Sequence, residues 1–128
     1  MFGSKKVSKV IEVAPCQNIS QDTKEKLYSY ALSITKSVNY SNAGTVEFLV
    51  DKNEKIYFIE VNPRIQVEHT ITEEITGIDI VRSQIQIARG YLLSDPQIHL
   101  NSQEDVSCNG FAIPVSYTHL TLPKNREV

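Results

Sequence analysis

Glu47 and Glu60 stand where apolar residues would be expected, each inside a short run rich in β-branched and aromatic side chains, TVEFLV at 45–50 and IYFIEV at 56–61. Between the runs lies Asp51-Lys52-Asn53-Glu54-Lys55, a turn composition, and the whole reads as a β-hairpin. A two-residue loop at Asn53-Glu54 would set Val50 against Tyr57, Phe48 against Ile59 and Glu47 against Glu60, with facing Cβ atoms about 5 Å apart. Asn62 projects from the same face two residues further on and adds an amide oxygen. Two carboxylates and an amide carbonyl form an all-oxygen set suited to a hard ion such as Mg²⁺ or Mn²⁺, which keeps waters or phosphate oxygens in its other positions. The alternative is a register slipped by one residue, which turns one glutamate to solvent.

Pro63 then stops the ladder, because it has no N–H to donate, and turns the chain into a loop. Arg64, Gln66 and Glu68 in that loop are the ingredients for holding a small planar oxyanion and removing a proton from it. The plainer alternative is a surface ion pair between Arg64 and Glu68.

The run F-I-E-V-N-P-R-I-Q-V-E-H-T at 58–70 resembles the signature near the end of the ATP-grasp core in biotin carboxylases. Its V-N-P-R and E-H-T variants are most similar to the pyruvate carboxylase branch, where acyl-CoA carboxylases tend to show M-N-T-R and E-H-P. The resemblance spans residues 9–113. It implies that Glu47, Glu60 and Asn62 hold the Mg²⁺ or Mn²⁺ that bridges the ATP phosphates. By the same resemblance Arg64, Gln66 and the backbone of Val67 hold bicarbonate, and Glu68 is the general base that deprotonates it for attack on the γ-phosphate. Lys9 aligns with a bicarbonate-side lysine of the family's R-R-H-Q-K stretch, although the arginine and histidine positions before it do not match; a solvated basic start is the alternative. The implied reaction is ATP-dependent carboxylation of biotin through carboxyphosphate. Biotin would ride on a carrier domain outside this chain, and the parent enzyme would be a homo-oligomer.

The elements that must position these residues follow from pattern. A short strand at 10–14 ends at Pro15, and Asn18 or Ser20 caps a helix running to about Asn39, with Leu27, Ala31, Ile34 and Val38 along one face. Tyr28 and Tyr30 beside it read as packing or surface residues. After the loop, 70–76 is a turn or two of helix stopped by Gly77. Asp79 opens a second helix at 80–89, with Val81, Gln84, Ile85 and Ala88 on a common face. His69 is a structural hydrogen-bonding residue, because no second histidine or cysteine is spaced to join it at a metal. The segment 91–105 is a polar connection, and 106–113 reads as a further strand. The expected fold class is α+β, an antiparallel sheet flanked by helices, equal to the distal part of an ATP-grasp domain.

At 128 residues the chain is at most one domain, and a net charge of −2 gives no support for nucleic-acid or membrane binding. Cys16 and Cys108 form no metal-spaced motif and read as reduced, partly buried thiols. There is no signal-peptide pattern, no bilayer-length apolar run and no repeat, so the expected location is cytoplasmic. Residues 1–8 are unmatched. The stretch V-S-Y-T-H-L-T-L-P at 115–123 resembles the translation of a transposon-based sequencing adapter, so 114–128 are expected to be non-native.

No glycine-rich phosphate loop occurs in the sequence. ATP-grasp enzymes clamp nucleotide between two lobes, so the isolated chain, a fragment of the parent enzyme, is not expected to turn over. Two other readings stand beside this one. Another ATP-grasp ligase, such as a carbamoyl-phosphate synthetase, shares the E…E-x-N pattern but is disfavoured by R-I-Q-V-E-H. In a non-catalytic module, Glu47 and Glu60 would form a simple cation site or an interaction surface.

Overall fold

Ser20 begins the first helix, α1 (Gln21–Ser37), by accepting the Thr23 N–H on its hydroxyl at 3.2 Å. The computed structural model describes residues 12–113; Lys9, the first two residues of the expected strand at 10–14 and the tail at 114–128 lie outside them, and the described remainder of that strand forms only a single bridge at Ala14. Asp22 in the first turn and Lys36 in the last complement the helix dipole. The helix ends at Ser37, two residues before the expected limit. Asn39 adopts a left-handed φ of 50° there, and the N–H groups of Asn39 and Tyr40 fold back onto the carbonyls of Lys36 and Thr35 at 3.1 and 2.9 Å. That pair of bonds satisfies the last carbonyls and stops the helix, leaving Val38 exposed beyond it.

Strands β1 (Thr45–Val50) and β2 (Ile56–Asn62) form the expected antiparallel hairpin, but its details differ. The loop has three residues, 52–54, not two. Asp51 and Lys55 close it with a 3.0 Å backbone bond, the Asp51 carboxylate accepts the N–H groups of Asn53 and Lys55, and Glu54 takes a left-handed φ of 60°. Val50 therefore pairs with Ile56, Leu49 with Tyr57 and Phe48 with Phe58, correcting the expected Val50–Tyr57 and Phe48–Ile59 pairs. A β-bulge at Ile59 then absorbs one residue, and Glu47 opposes Glu60 as expected.

One face of the hairpin carries Val46, Phe48, Val50, Ile56, Phe58 and Val61, in register with one another. Helix α1 lies against it. Tyr30 meets Phe48 at a ring-centroid distance of 6.5 Å, and Phe48 meets Phe58 edge-on at 6.1 Å. The turn and the helix are also joined directly. Glu54 accepts from the Ser20 N–H at 2.7 Å, from the Ser20 hydroxyl at 2.5 Å and from the Thr23 hydroxyl at 2.6 Å, while Thr23 is only 3% exposed. Those bonds, led by the Ser20 hydroxyl, hold the Glu54 carboxyl below the usual carboxylate range.

Helices α2 (His69–Thr76) and α3 (Ile80–Ala88) form a tight corner around Gly77, whose φ of 70° turns the chain. Asp79 caps α3 through the Arg82 N–H at 2.7 Å. The inward face of α3 is not the expected one: Val81 and Ile85 are exposed, whereas Ile80, Gln84 and Ile87 border a cavity with Ala43 and Leu93. No strand forms at 106–113. A 3-10 helix (Gln103–Asp105) precedes it, Asn109 gives its N–H to the Ile75 carbonyl at 2.7 Å, and Gly110 turns with a φ of 74°. These diversions leave one antiparallel bridge, Ala14 to Ala112, closed by two 3.0 Å bonds.

Ile75, 6% exposed, is the one buried apolar residue among those described, and Leu49, Tyr57 and Ile59 of the hairpin are open to solvent. Cys16 and Cys108 are exposed free thiols, not the partly buried ones expected. No helix among the described residues is long and apolar enough to cross a membrane.

Candidate functional site

The hairpin face turned away from α1 carries Glu47 and Glu60 in direct opposition, with Asn62 at the end of β2. Like charges so placed repel, and the structure sets amide donors against them. The Asn62 Nδ2 lies 2.9 Å from Glu60 Oε1 and 3.3 Å from Glu47 Oε1, and the Gln66 Nε2 lies 3.4 Å from the same Glu47 oxygen. The amides face this way because, turned over, their oxygens would confront carboxylate oxygens.

Gly44 brings the two strand ends to this spacing. A Cβ there would lie 3.2 Å from the Asn62 carbonyl oxygen and 3.2 Å from the Tyr40 ring, which is itself pinned by its hydroxyl to the Ala43 carbonyl at 2.8 Å.

No three or more His, Cys, Asp or Glu side chains gather as a metal cluster among the described residues. Two carboxylates and one amide, each giving one oxygen, would leave half the positions of an octahedral ion to water or phosphate. The donor set fits Mg²⁺ or Mn²⁺ on that chemistry, with the Asn62 amide rotating to present its oxygen.

The loop starts where β2 stops. Arg64 gives its N–H to the Asn62 carbonyl at 2.8 Å, folding the chain sharply at Pro63, and its guanidinium reaches the Ile65 carbonyl at 3.2 Å. Arg64 and Glu68 do not pair with each other: the side-chain ion pairs among the described residues join Lys26 to Asp22 and His69 to Glu73. Arg64, Gln66, Glu68 and His69 instead border a cavity of about 350 Å³, closed on the other side by Gly44 and Thr45. Gln66 Oε1 is buried without a hydrogen-bond donor among the described residues. A buried acceptor without a donor costs free energy unless a ligand or water supplies one.

Of the residues singled out in the sequence, Glu47, Glu60, Asn62 and Gln66 are brought into one hydrogen-bonded group. Arg64, Val67 and Glu68 follow on the adjoining loop, and Lys9 lies outside the described residues. His69 is structural as expected, its Nδ1 lying 2.7 Å from the Gln66 carbonyl. Sequence reasoning missed Glu73, whose carboxylate accepts the Ile80 N–H at 2.7 Å from seven residues away. Its spacing belongs to no local capping pattern, so nothing in the sequence signalled it.

Residues 2–96 match the family model described as the carbamoyl-phosphate synthase L chain, ATP binding domain. The pyruvate carboxylase of Aspergillus terreus is 57% identical over 110 residues, covering 86% of this chain and 9% of that protein. That of Bacillus subtilis is 53% identical over 105 residues, covering 82% and 9%. The complete multifunctional pyruvate carboxylase from Rhizobium etli superimposes with a TM-score of 0.79 at 49% identity, over 85% of this chain and 11% of that one. The biotin carboxylase domain of the Hydrogenobacter thermophilus 2-oxoglutarate carboxylase, solved with MgADP and bicarbonate, gives 0.72 at 44% identity, over 82% and 22%. The chain thus spans about a tenth of the length of the curated relatives it matches.

Proposed function

The chain belongs to the family of the carbamoyl-phosphate synthase L chain ATP-binding domain and matches the biotin carboxylase portion of pyruvate carboxylases, and from that premise we propose that it forms the bicarbonate-activating part of an ATP-dependent biotin carboxylase. The observation that carries this reading is the continuity of the opposed carboxylates with the loop. Glu47 is hydrogen-bonded to Gln66, so the candidate cation site and the candidate oxyanion site share a side chain.

Glu47, Glu60 and Asn62 would hold a magnesium or manganese ion, which when bound offsets charge on the triphosphate. Arg64 offers a planar fork of N–H donors to the bicarbonate oxygens. Gln66 Oε1, buried without a donor, suits the one group that distinguishes bicarbonate from carbonate, its O–H. The Val67 N–H would supply a further donor. Glu68 accepts the bicarbonate proton, which leaves on a carboxylate oxygen as the bicarbonate oxygen becomes nucleophilic toward the γ-phosphate. Carboxyphosphate and ADP are the expected products of that step, and biotin on a carrier domain is the expected acceptor.

The test is ATP cleavage by the full-length protein with and without bicarbonate and biotin. Cleavage requiring both is expected. Cleavage that needs bicarbonate but persists without biotin would point to a carbamoyl-phosphate synthetase-like ligase, and the absence of any bicarbonate dependence would overturn the reading.

A further inference from the structure

His69 is tied twice to the Gln66 carbonyl: its backbone N–H donates at 3.2 Å and its ring Nδ1 lies 2.7 Å from the same oxygen. A carbonyl only accepts, so Nδ1 carries the proton. That carbonyl belongs to the peptide unit whose other polar group is the N–H of Val67. The unit is planar and trans, so the N–H points opposite to the C=O. Whatever fixes the direction of the Gln66 oxygen therefore aims the Val67 hydrogen. The Val67 N–H has no acceptor among the described residues, and Val67 is 75% exposed. It is an aimed donor awaiting a partner.

Behind the ring stands a carboxylate, which attracts it when both ring nitrogens carry protons. The ring Nε2 lies 3.8 Å from one oxygen of Glu73, with the two side chains 24% and 26% exposed. The other Glu73 oxygen accepts the Ile80 and Val81 N–H groups at 2.7 and 3.4 Å. The first turn of α3 fixes Glu73, Glu73 faces the imidazole, and the imidazole fixes the peptide.

We propose that His69 is a positioning residue that aligns the Val67 N–H as the oxyanion donor for bicarbonate, with Glu73 keeping the ring in place. The inference rests on the bicarbonate reading given above and adds to it a residue that touches no substrate. A donor already oriented needs no reorganisation when charge arrives, so its alignment is worth more than its presence.

The experiment is ¹⁵N spectroscopy of the full-length protein with a bicarbonate titration, comparing wild type, His69→Leu, His69→Asn and Glu73→Gln. Asn places its Nδ2 near the position of Nδ1 and keeps the donor; Leu removes it. The expected result is a protonated Nδ1 in the wild type and a shifted Val67 amide in His69→Leu. Bicarbonate affinity should fall about tenfold in that variant, as for one lost hydrogen bond, and His69→Asn should recover most of both effects. Glu73→Gln should move the His69 ring signals and the Val67 amide in the same direction by less. A Val67 amide unmoved in His69→Leu, or His69→Asn no better than His69→Leu, overturns the proposal. A ring-dependent Val67 amide in a wild-type chain that takes no bicarbonate overturns the carboxylation reading instead, and with it the ligand assigned to this donor.

Discussion

Glu60 lies across from Glu47 because two irregularities of the hairpin cancel. The three-residue loop shifts the strands by one residue from the two-residue register, and the bulge at Ile59 shifts them back. Without the bulge, Ile59 would oppose Glu47, and Glu60 would oppose Val46 on the apolar face turned to α1, where its carboxylate would lose the Asn62 amide and part of its water.

Replacing Glu47 and Glu60 together by Gln is expected to abolish Mn²⁺ binding while the metal-free chain stays folded. Asn62→Ala should destabilise the metal-free wild type by about 1 kcal/mol, because it removes the donor shared by two carboxylates. In the double-Gln background the same change should cost less. A thermodynamic cycle from urea melts measures the difference, and equal costs in both backgrounds would rule out Asn62 as the buffer between the charges.

Glu68→Gln should lower bicarbonate-dependent ATP cleavage of the full-length protein by about 10²–10⁴-fold, the range of a general base. Arg64→Lys should act mainly by raising the KM for bicarbonate, since an ammonium cannot reproduce the planar fork. Steady-state kinetics on the two variants separate proton removal from binding.

Gly44→Ala should disturb the site from behind. Its new methyl would press on the Asn62 carbonyl, which is backbone and cannot rotate away, so a loss of about 1–3 kcal/mol is expected, as for overpacking. Thermal melts and the Mn²⁺ affinity of the variant check it, with both expected to fall.

The Glu54 carboxyl titrates below its unfolded value, so its contribution to stability is complete above the unfolded carboxylate value of about 4.3 and is lost as pH falls through the folded value. Glu54→Gln should therefore melt below wild type at neutral pH. The gap should close on acidification, which circular dichroism melts at neutral and strongly acid pH would show.

The apolar runs and the turn cluster made the hairpin legible in the sequence, whereas the opposition of Glu47 and Glu60 was reached from a two-residue loop that the structure lacks and holds only because the bulge offsets the longer loop. The pairs nearer the turn were not legible, because loop length depends on Glu54 accepting a left-handed φ, and its Ser20 and Thr23 partners lie at the N-terminal end of α1, more than 30 residues earlier in the chain. Ser20 and Asp79 as caps and Gly77 as a stop were readable because those signals are local. The segment 106–113 has strand composition, yet a strand needs a neighbour, and its Asn109 N–H is taken by α2. The inward face of α3 was likewise decided by what packs on it, the loop at Asn42 and Ala43, a non-local fact.

The Glu54 clasp joins positions 34 residues apart in sequence through one carboxylate. Fraying of the first turn of α1 strips that carboxylate of its donors, and opening of the hairpin loop strips the helix of its acceptor. The two ends consequently behave as one cooperative unit, and amide hydrogens protected at either end should exchange with solvent on a common timescale.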